Sequence, residues 1–93
     1  MKKINILERA KSLEILLYLY HNENKNPGLL DIRTGTGASS GSIQMRLFEL
    51  GTIGLIQEKT RSGITTKREV KLTPKGKKIA KLVDEINKTL EEE

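Results

Sequence analysis

The sequence predicts an α+β domain, mostly helical, with one two-stranded hairpin and a long C-terminal helix. Three observations carry this expectation. Apolar residues recur at helical spacing between Leu7 and Asn22 and again between Ile79 and Leu90. Between these stretches, Leu29 to Leu50 contains a short helical run, a turn built on Gly37 and a second helical run opened by Ser39, the pattern of a helix-turn-helix. Two alternating segments on either side of Gly63 then read as a β-hairpin.

Composition narrows what such a domain can do. Ninety-three residues are expected to form one domain over 1–93, with about 7–72 holding the helix-turn-helix and hairpin and 73–93 the last helix. That length supports a modest core but not a deep substrate pocket beside a cofactor fold. The absence of Cys excludes disulfides and thiolate metal sites, and a single histidine, His21, cannot build a zinc site, so neither metal nor cofactor is expected. No stretch approaches the roughly 20 apolar residues of a membrane span. The apolar run after Met1-Lys2-Lys3 is interrupted by Asn5, Glu8 and Arg9, which makes a poor signal peptide, and the cytoplasm is the expected location.

In the first helix, Ala10, Leu13, Leu16, Leu17 and Tyr20 keep core spacing, while Ile15, Tyr18 and Leu19 widen the apolar surface. The helix must stop before Pro27, because Pro lacks the backbone donor and Asn22 to Gly28 is dense in turn formers. His21 falls at the helix end as a partly exposed residue, and a ligand or general base there would need partners that the sequence does not supply. Leu29 to Thr36 forms a second, short helix with Leu30 and Ile32 as its apolar contacts, and Gly35 leaves room for a close crossing. Gly37 supplies the turn.

Ser39 caps the third helix, because its side-chain oxygen can satisfy a free N–H of the first turn. Ile43, Leu47 and Leu50 then fall on one side and face the core. On the opposite side lie Gly41, Gln44, Met45 and Phe48, flanked by Ser42 and Glu49. A solvated face in a chain with 31% charged residues would carry Lys and Glu. A small, uncharged and amide-bearing face marks a surface that something approaches closely, and this helix is read as a DNA-reading helix.

After Gly51 and Gly54 end the helical pattern, a first strand runs from Leu55-Ile56 to about Thr60 and a second from Lys67 to Leu72, with Val70 and Leu72 alternating with Glu69 and Lys71. Arg61 to Thr66 forms the tip. Thr73-Pro74 starts the last helix, Thr as N-cap and Pro where its missing N–H costs nothing. Its stripe of Ile79, Leu82, Val83, Ile86 and Leu90 is longer than a domain this small needs, so part of it is expected to serve a partner chain.

Charge is localised. Residues 59–81 hold nine basic residues against Glu69 alone, a local net charge of +8, whereas 82–93 carry −4. Phosphate backbones bind concentrated positive charge of this kind by counterion release. One nucleotide-binding pattern is a decoy. Thr36-Gly37-Ala38-Ser39-Ser40-Gly41-Ser42-Ile43 is similar to the T-G-x-x-x-G-x-G fingerprint of short-chain dehydrogenases, but Ile43 replaces its last glycine. The preceding L-L-D-I-R-T is also too short and polar for the buried strand that the motif requires. Tyr18 and Tyr20 are followed four residues later by Asn22 and Asn24, so the Tyr-Lys pair of that family is missing. With no other catalytic constellation, the chain is not expected to be an enzyme.

The order helix, helix, turn, helix, strand, basic hairpin, strand, long helix resembles the winged helix-turn-helix fold. It looks most like small archaeal and MarR- or PadR-type transcription regulators. The resemblance rests on Ile32 to Ile56, with its T-G turn, Ser-capped helix and the L-x-x-L-x-x-x-G-L-I exit at Leu47, Leu50, Gly54, Leu55 and Ile56. It rests also on L-T-P-K-G-K-K-I-A from Leu72 to Ala80. Arg33, where a small residue is usual, and Phe48, where Lys or Arg is usual, depart from the pattern.

The resemblance implies sequence-specific binding of double-stranded DNA and transcriptional regulation. Gln44 would bond bidentately to adenine, Met45 would pack on a thymine methyl, and Ser39, Ser40, Gly41 and Ser42 would approach bases or phosphate at the helix entry. Arg46 would reach phosphate from the flank, and Arg61, Thr65, Lys67 and Arg68 on the wing would meet the backbone or an adjacent minor groove. Because one domain contacts few base pairs, a homodimer through Ile79, Leu82, Val83, Ile86 and Leu90 would read two half-sites. The competing use of such a fold is protein interaction or RNA binding. Neither the operator nor any small-molecule effector is legible.

Overall fold

The computed structural model describes residues 2–61 and 67–92, except for the side chains of Thr60, Arg61 and Lys67. A 3-10 helix at Lys3–Glu8 leads into α1 (Ser12–His21), α2 (Leu29–Thr36), α3 (Ser40–Thr52), β1 (Ile56–Arg61), β2 (Lys67–Leu72) and α4 (Pro74–Leu90). The strands form an antiparallel pair in which Ile56 faces Leu72 and Arg61 faces Lys67. Five of the six elements match the expected order and bounds closely. The first does not.

The predicted helix from Leu7 is broken. Lys11 takes a left-handed conformation, with φ of 71°, and the Ser12 hydroxyl donates to the Ile6 carbonyl at 2.9 Å. The 3-10 turn is thereby folded back on the α1 start, and the core face is reset to Ile15, Leu16 and Leu19. Ala10 and Leu13, expected inside, are exposed. A similar shift occurs in α2, where Asp31 accepts from the Gly28 N–H at 2.9 Å and anchors the first turn. Ile32 is then buried and Leu29 packs against the core, while Leu30, expected as a core contact, is 71% exposed.

The core gathers Ile15, Leu16, Leu19, Ile32, Ile43, Leu47 and Leu50 from the first three helices. Leu55 joins them from the turn before β1, Ile56, Val70 and Leu72 from the sheet, and Ala80 from α4. Two glycines mark close approaches between elements. A Cβ on Gly35 would overlap the Tyr18 ring, and one on Gly76 would overlap the Leu55 carbonyl. The second contact belongs to a knot at the α4 start. Thr73 accepts from the Gly76 N–H at 2.9 Å and donates its hydroxyl to the Gly54 carbonyl at 2.6 Å, while its N–H reaches Leu55 O at 3.0 Å. The N-cap thus also fixes the turn after α3. Gly54, with φ of 77°, makes that turn, and Gly51 lies inside the helix rather than ending it.

The base of the hairpin is tied to the helices by the Val70 N–H, which donates to Pro27 O at 3.1 Å. Glu69, expected on the open side with Lys71, is buried and sits opposite Lys59 in the register. α4 lies along α1, and His21 is drawn into this contact, its Nε2 2.8 Å from Asp84 Oδ1. Lys88 reaches the other carboxylate oxygen at 3.1 Å. The Lys88 hydrogen bond first, and then that of His21, hold the Asp84 carboxyl below the ordinary carboxylate range against the opposing effect of its burial. The Lys88 ammonium is raised in turn, mainly by its bond to Asp84. Among the described residues, no helix is long and apolar enough to cross a membrane, and no group of three or more His, Asp or Glu is placed to hold a metal ion.

Candidate nucleic-acid interface

α2 and α3 are separated by three residues, Gly37, Ala38 and Ser39. Gly37 takes φ of 72°, which an L side chain rarely adopts, and Ala38 is buried, so the turn is pinned against the core. The Thr36 hydroxyl donates to Ile32 O at 2.7 Å and accepts from the Ala38 N–H at 3.3 Å, bracing the corner from within. Ser39 caps α3 as expected, its hydroxyl oxygen accepting from the Ser42 N–H at 3.2 Å. The helix therefore leaves the core with a defined direction.

Ile43, Leu47 and Leu50 bury one side of α3, and its other side stands free. Gly41, Gln44, Met45 and Phe48 are exposed, Phe48 to 70%. An aromatic ring left this open is costly unless something covers it in the working complex. On one side of Gln44, a cleft of about 470 Å³ runs between α3 and the sheet, lined by Phe48, Gln57, Glu58 and Arg68. On the other, Gln44 and Ser40 line a groove with Leu30 and Arg33 of α2.

No protein-family model and no curated protein sequence matches the chain. Solved structures match well. A protein from Thermoplasma volcanium assigned to the HxlR family of transcriptional factors superposes with a TM-score of 0.82 at 22% identity, over 97% of this chain and 79% of its own. One from Porphyromonas gingivalis assigned to the MarR family gives 0.79 at 24% identity, over 97% and 87%. MepR of S. aureus, in a complex with DNA, gives 0.74 at 23% identity, over 90% and 67%. The chain has the winged helix-turn-helix fold. α2 and α3 are its helix-turn-helix pair, and β1 and β2 are the strands of its wing.

The winged-helix frame brings together part of the predicted site. Ser39, Ser40, Gly41, Gln44 and Met45 share one exposed surface, and Ser42 lies half-buried at its edge. Arg46 does not join them. Its side chain is only 12% exposed, with Nε 3.1 Å from Glu49 Oε1, and Glu49 also meets Arg9 at 3.4 Å. The Arg46–Glu49 contact is Coulombic rather than an aligned hydrogen bond, since neither atom has a hydrogen-bond partner. With Glu49 one turn away on the same flank, Arg46 is turned into the protein and away from the outer face.

On the wing, Arg68 is exposed but paired with Glu58. Thr65 lies outside the described residues, as do the side chains of Arg61 and Lys67, whose backbones pair at the far end of the ladder. Arg33, read in the sequence only as a departure from a family pattern, proves part of the surface. Its NH1 donates to the Ser40 hydroxyl at 3.3 Å, placing a guanidinium at the first turn of α3. The signal was its position seven residues before Ser40, across a turn whose geometry had to be known first.

The apolar stripe of α4, expected to serve a partner chain, divides. Val83 faces the domain's own interior and Ile79 is half-buried, whereas Leu82, Ile86 and Leu90 remain open. The reason is the pitch of α4, which turns Ala80, Val83 and Asp84 toward the rest of the domain.

Proposed function

We propose that the chain is a DNA-binding transcriptional regulator that inserts α3 into the major groove of double-stranded DNA and acts as a homodimer. The observation that carries this reading is the outer face of α3, exposed and without charge at Gly41, Gln44 and Met45, in a chain whose surface is otherwise rich in Lys and Glu. An α-helix of about 10–12 Å diameter matches a groove about 12 Å wide. Gln44 can then take both hydrogen bonds of an adenine edge, and Met45 can cover a thymine methyl. The open first turn of α3, with Ser40 and Gly41, offers backbone N–H groups to a phosphate, and Arg33 stands beside it as the charged partner. Arg46, only 12% exposed and turned toward Glu49, has no part in this contact. The MepR–DNA complex supports the reading by fold likeness.

A gel-shift titration on mixed-sequence duplex at two salt concentrations tests it. Binding that weakens steeply with salt is expected, because each neutralised phosphate contributes about 0.9 to the slope of log K against log salt. Absence of any retarded species at low salt would leave this surface to a protein or RNA partner.

A further inference from the structure

Away from the DNA face, Leu82, Ile86 and Leu90 are 50%, 60% and 77% exposed. They line a shallow groove along α4. At about 100° per residue these three share an arc of roughly 80° with Lys75 and Ile79, so the stripe continues to the helix start. There Ile79 lines a second, almost wholly apolar groove of about 240 Å³ with Ile4, Leu7, Ile53 and Leu55, its rim formed by Lys3 and Lys75. The two ends of this surface are opposite in charge. Lys3, Lys75 and Lys78 stand at one, and Glu91 and Glu92 follow Leu90 at the other.

We infer that a second copy of the chain closes this surface, with the two α4 helices antiparallel about a two-fold axis beside residue 84. Leu82 of each copy then meets Ile86 of the other. Leu90 arrives at the groove between Ile4 and Ile79, and Glu91 and Glu92 fall beside Lys3 and Lys75. This rests on the homodimer reading above and adds its register and polarity. Ile79 and Leu90 are about 16.5 Å apart at 1.5 Å per residue, so antiparallel overlap matches each end of the stripe with the opposite end of its twin. A parallel pair would set lysine against lysine and carboxylate against carboxylate, which disfavours it. The contact is isologous, and every groove is filled by the same segment of the other copy.

The chain has no Cys, so single thiols report the register cleanly. Leu82→Cys and Ile86→Cys, both at exposed positions, are oxidised separately and as an equimolar mixture. The expected result is disulfide-linked dimer chiefly in the mixture. Self-linking of each variant alone would mean parallel helices and would overturn the register, as would no linking in any sample. Sedimentation of the unmodified chain at tens of micromolar decides the underlying reading separately, since a monomer there removes the dimer altogether. Lys75→Glu should loosen the dimer severalfold, and Glu91→Lys with Glu92→Lys should restore it. Failure of that rescue would overturn the charge pairing and assign the Lys75 effect to its own bond to the Ile53 carbonyl.

Discussion

Arg68 reaches back across the wing to Glu58, its Nε and a terminal NH2 both donating to the same carboxylate oxygen. The two are diagonal neighbours in the ladder, since Glu58 faces Val70 and Thr60 faces Arg68. Their pairing lies along the cleft that Gln44 and Phe48 also line. An exposed pair of this kind is worth only about 0.2–1 kcal/mol, so a phosphate can compete with Glu58 for the guanidinium. Until it does, the wing presents less positive charge than its composition indicates.

Glu58→Gln should therefore tighten binding to all duplexes and steepen the slope of log K against log salt by up to about 0.9, the contribution of one further phosphate contact. Fluorescence anisotropy titrations across a salt series measure it. In an Arg68→Ala background the same substitution should leave the slope where it was. A steeper slope even without Arg68 would assign the effect to lost repulsion alone.

Gly76 and Gly51 should respond to alanine in opposite directions. Both are helical, and alanine favours a helix over glycine by about 1 kcal/mol. At Gly51 nothing stands near the added methyl, so Gly51→Ala should stabilise by about 0.5–1 kcal/mol. At Gly76 the methyl meets the Leu55 carbonyl, a backbone atom held by the Thr73 knot. Overpacking of about 1–3 kcal/mol outweighs the propensity gain there, and urea denaturation should show a lowered midpoint.

What was legible in the sequence were the elements whose ends carry their own chemistry. Gly37 with Ser39, and Thr73 with Pro74, are local signals that act within one turn, and the structure places α2, α3 and α4 accordingly. The start of α1 was hidden because it depends on a left-handed Lys11 and a bond from Ser12 to Ile6, neither of which has a residue-type signature. The outer face of α3 is readable from periodicity, and so is the place of Arg46 on its flank, but not the direction its side chain takes. Its orientation is decided by Glu49 and, beyond that, by Arg9 from a distant segment. Arg33 was missed for the complementary reason, since only the folded turn brings it to Ser40.

Acid should expose the role of Asp84. Because its carboxyl is held below the ordinary value in the folded chain, its stabilisation is complete above about pH 4 and is lost as the pH falls through the lowered value. Asp84→Asn should lower the melting temperature at pH 7, and the two melting curves should converge as the pH is brought toward 2. A constant difference across that range would mean that ionisation of Asp84 contributes nothing to folding.

Ile86→Lys combined with Leu90→Lys should yield a folded monomer, since both side chains are already exposed in the protomer. Circular dichroism should be unchanged while sedimentation shifts to the monomer mass. Operator binding should weaken strongly, because two half-sites are no longer held at high effective concentration. Unfolding of this variant would place the two residues in the core instead.

If α3 reads bases, Gln44→Ala should separate binding to a preferred site from binding to random duplex. Affinity is measured on the best duplex selected from a random library and on unselected duplex at the same salt. A loss of roughly 1–3 kcal/mol is expected on the selected site, with little change on the unselected one. Equal losses on both would contradict base reading by α3.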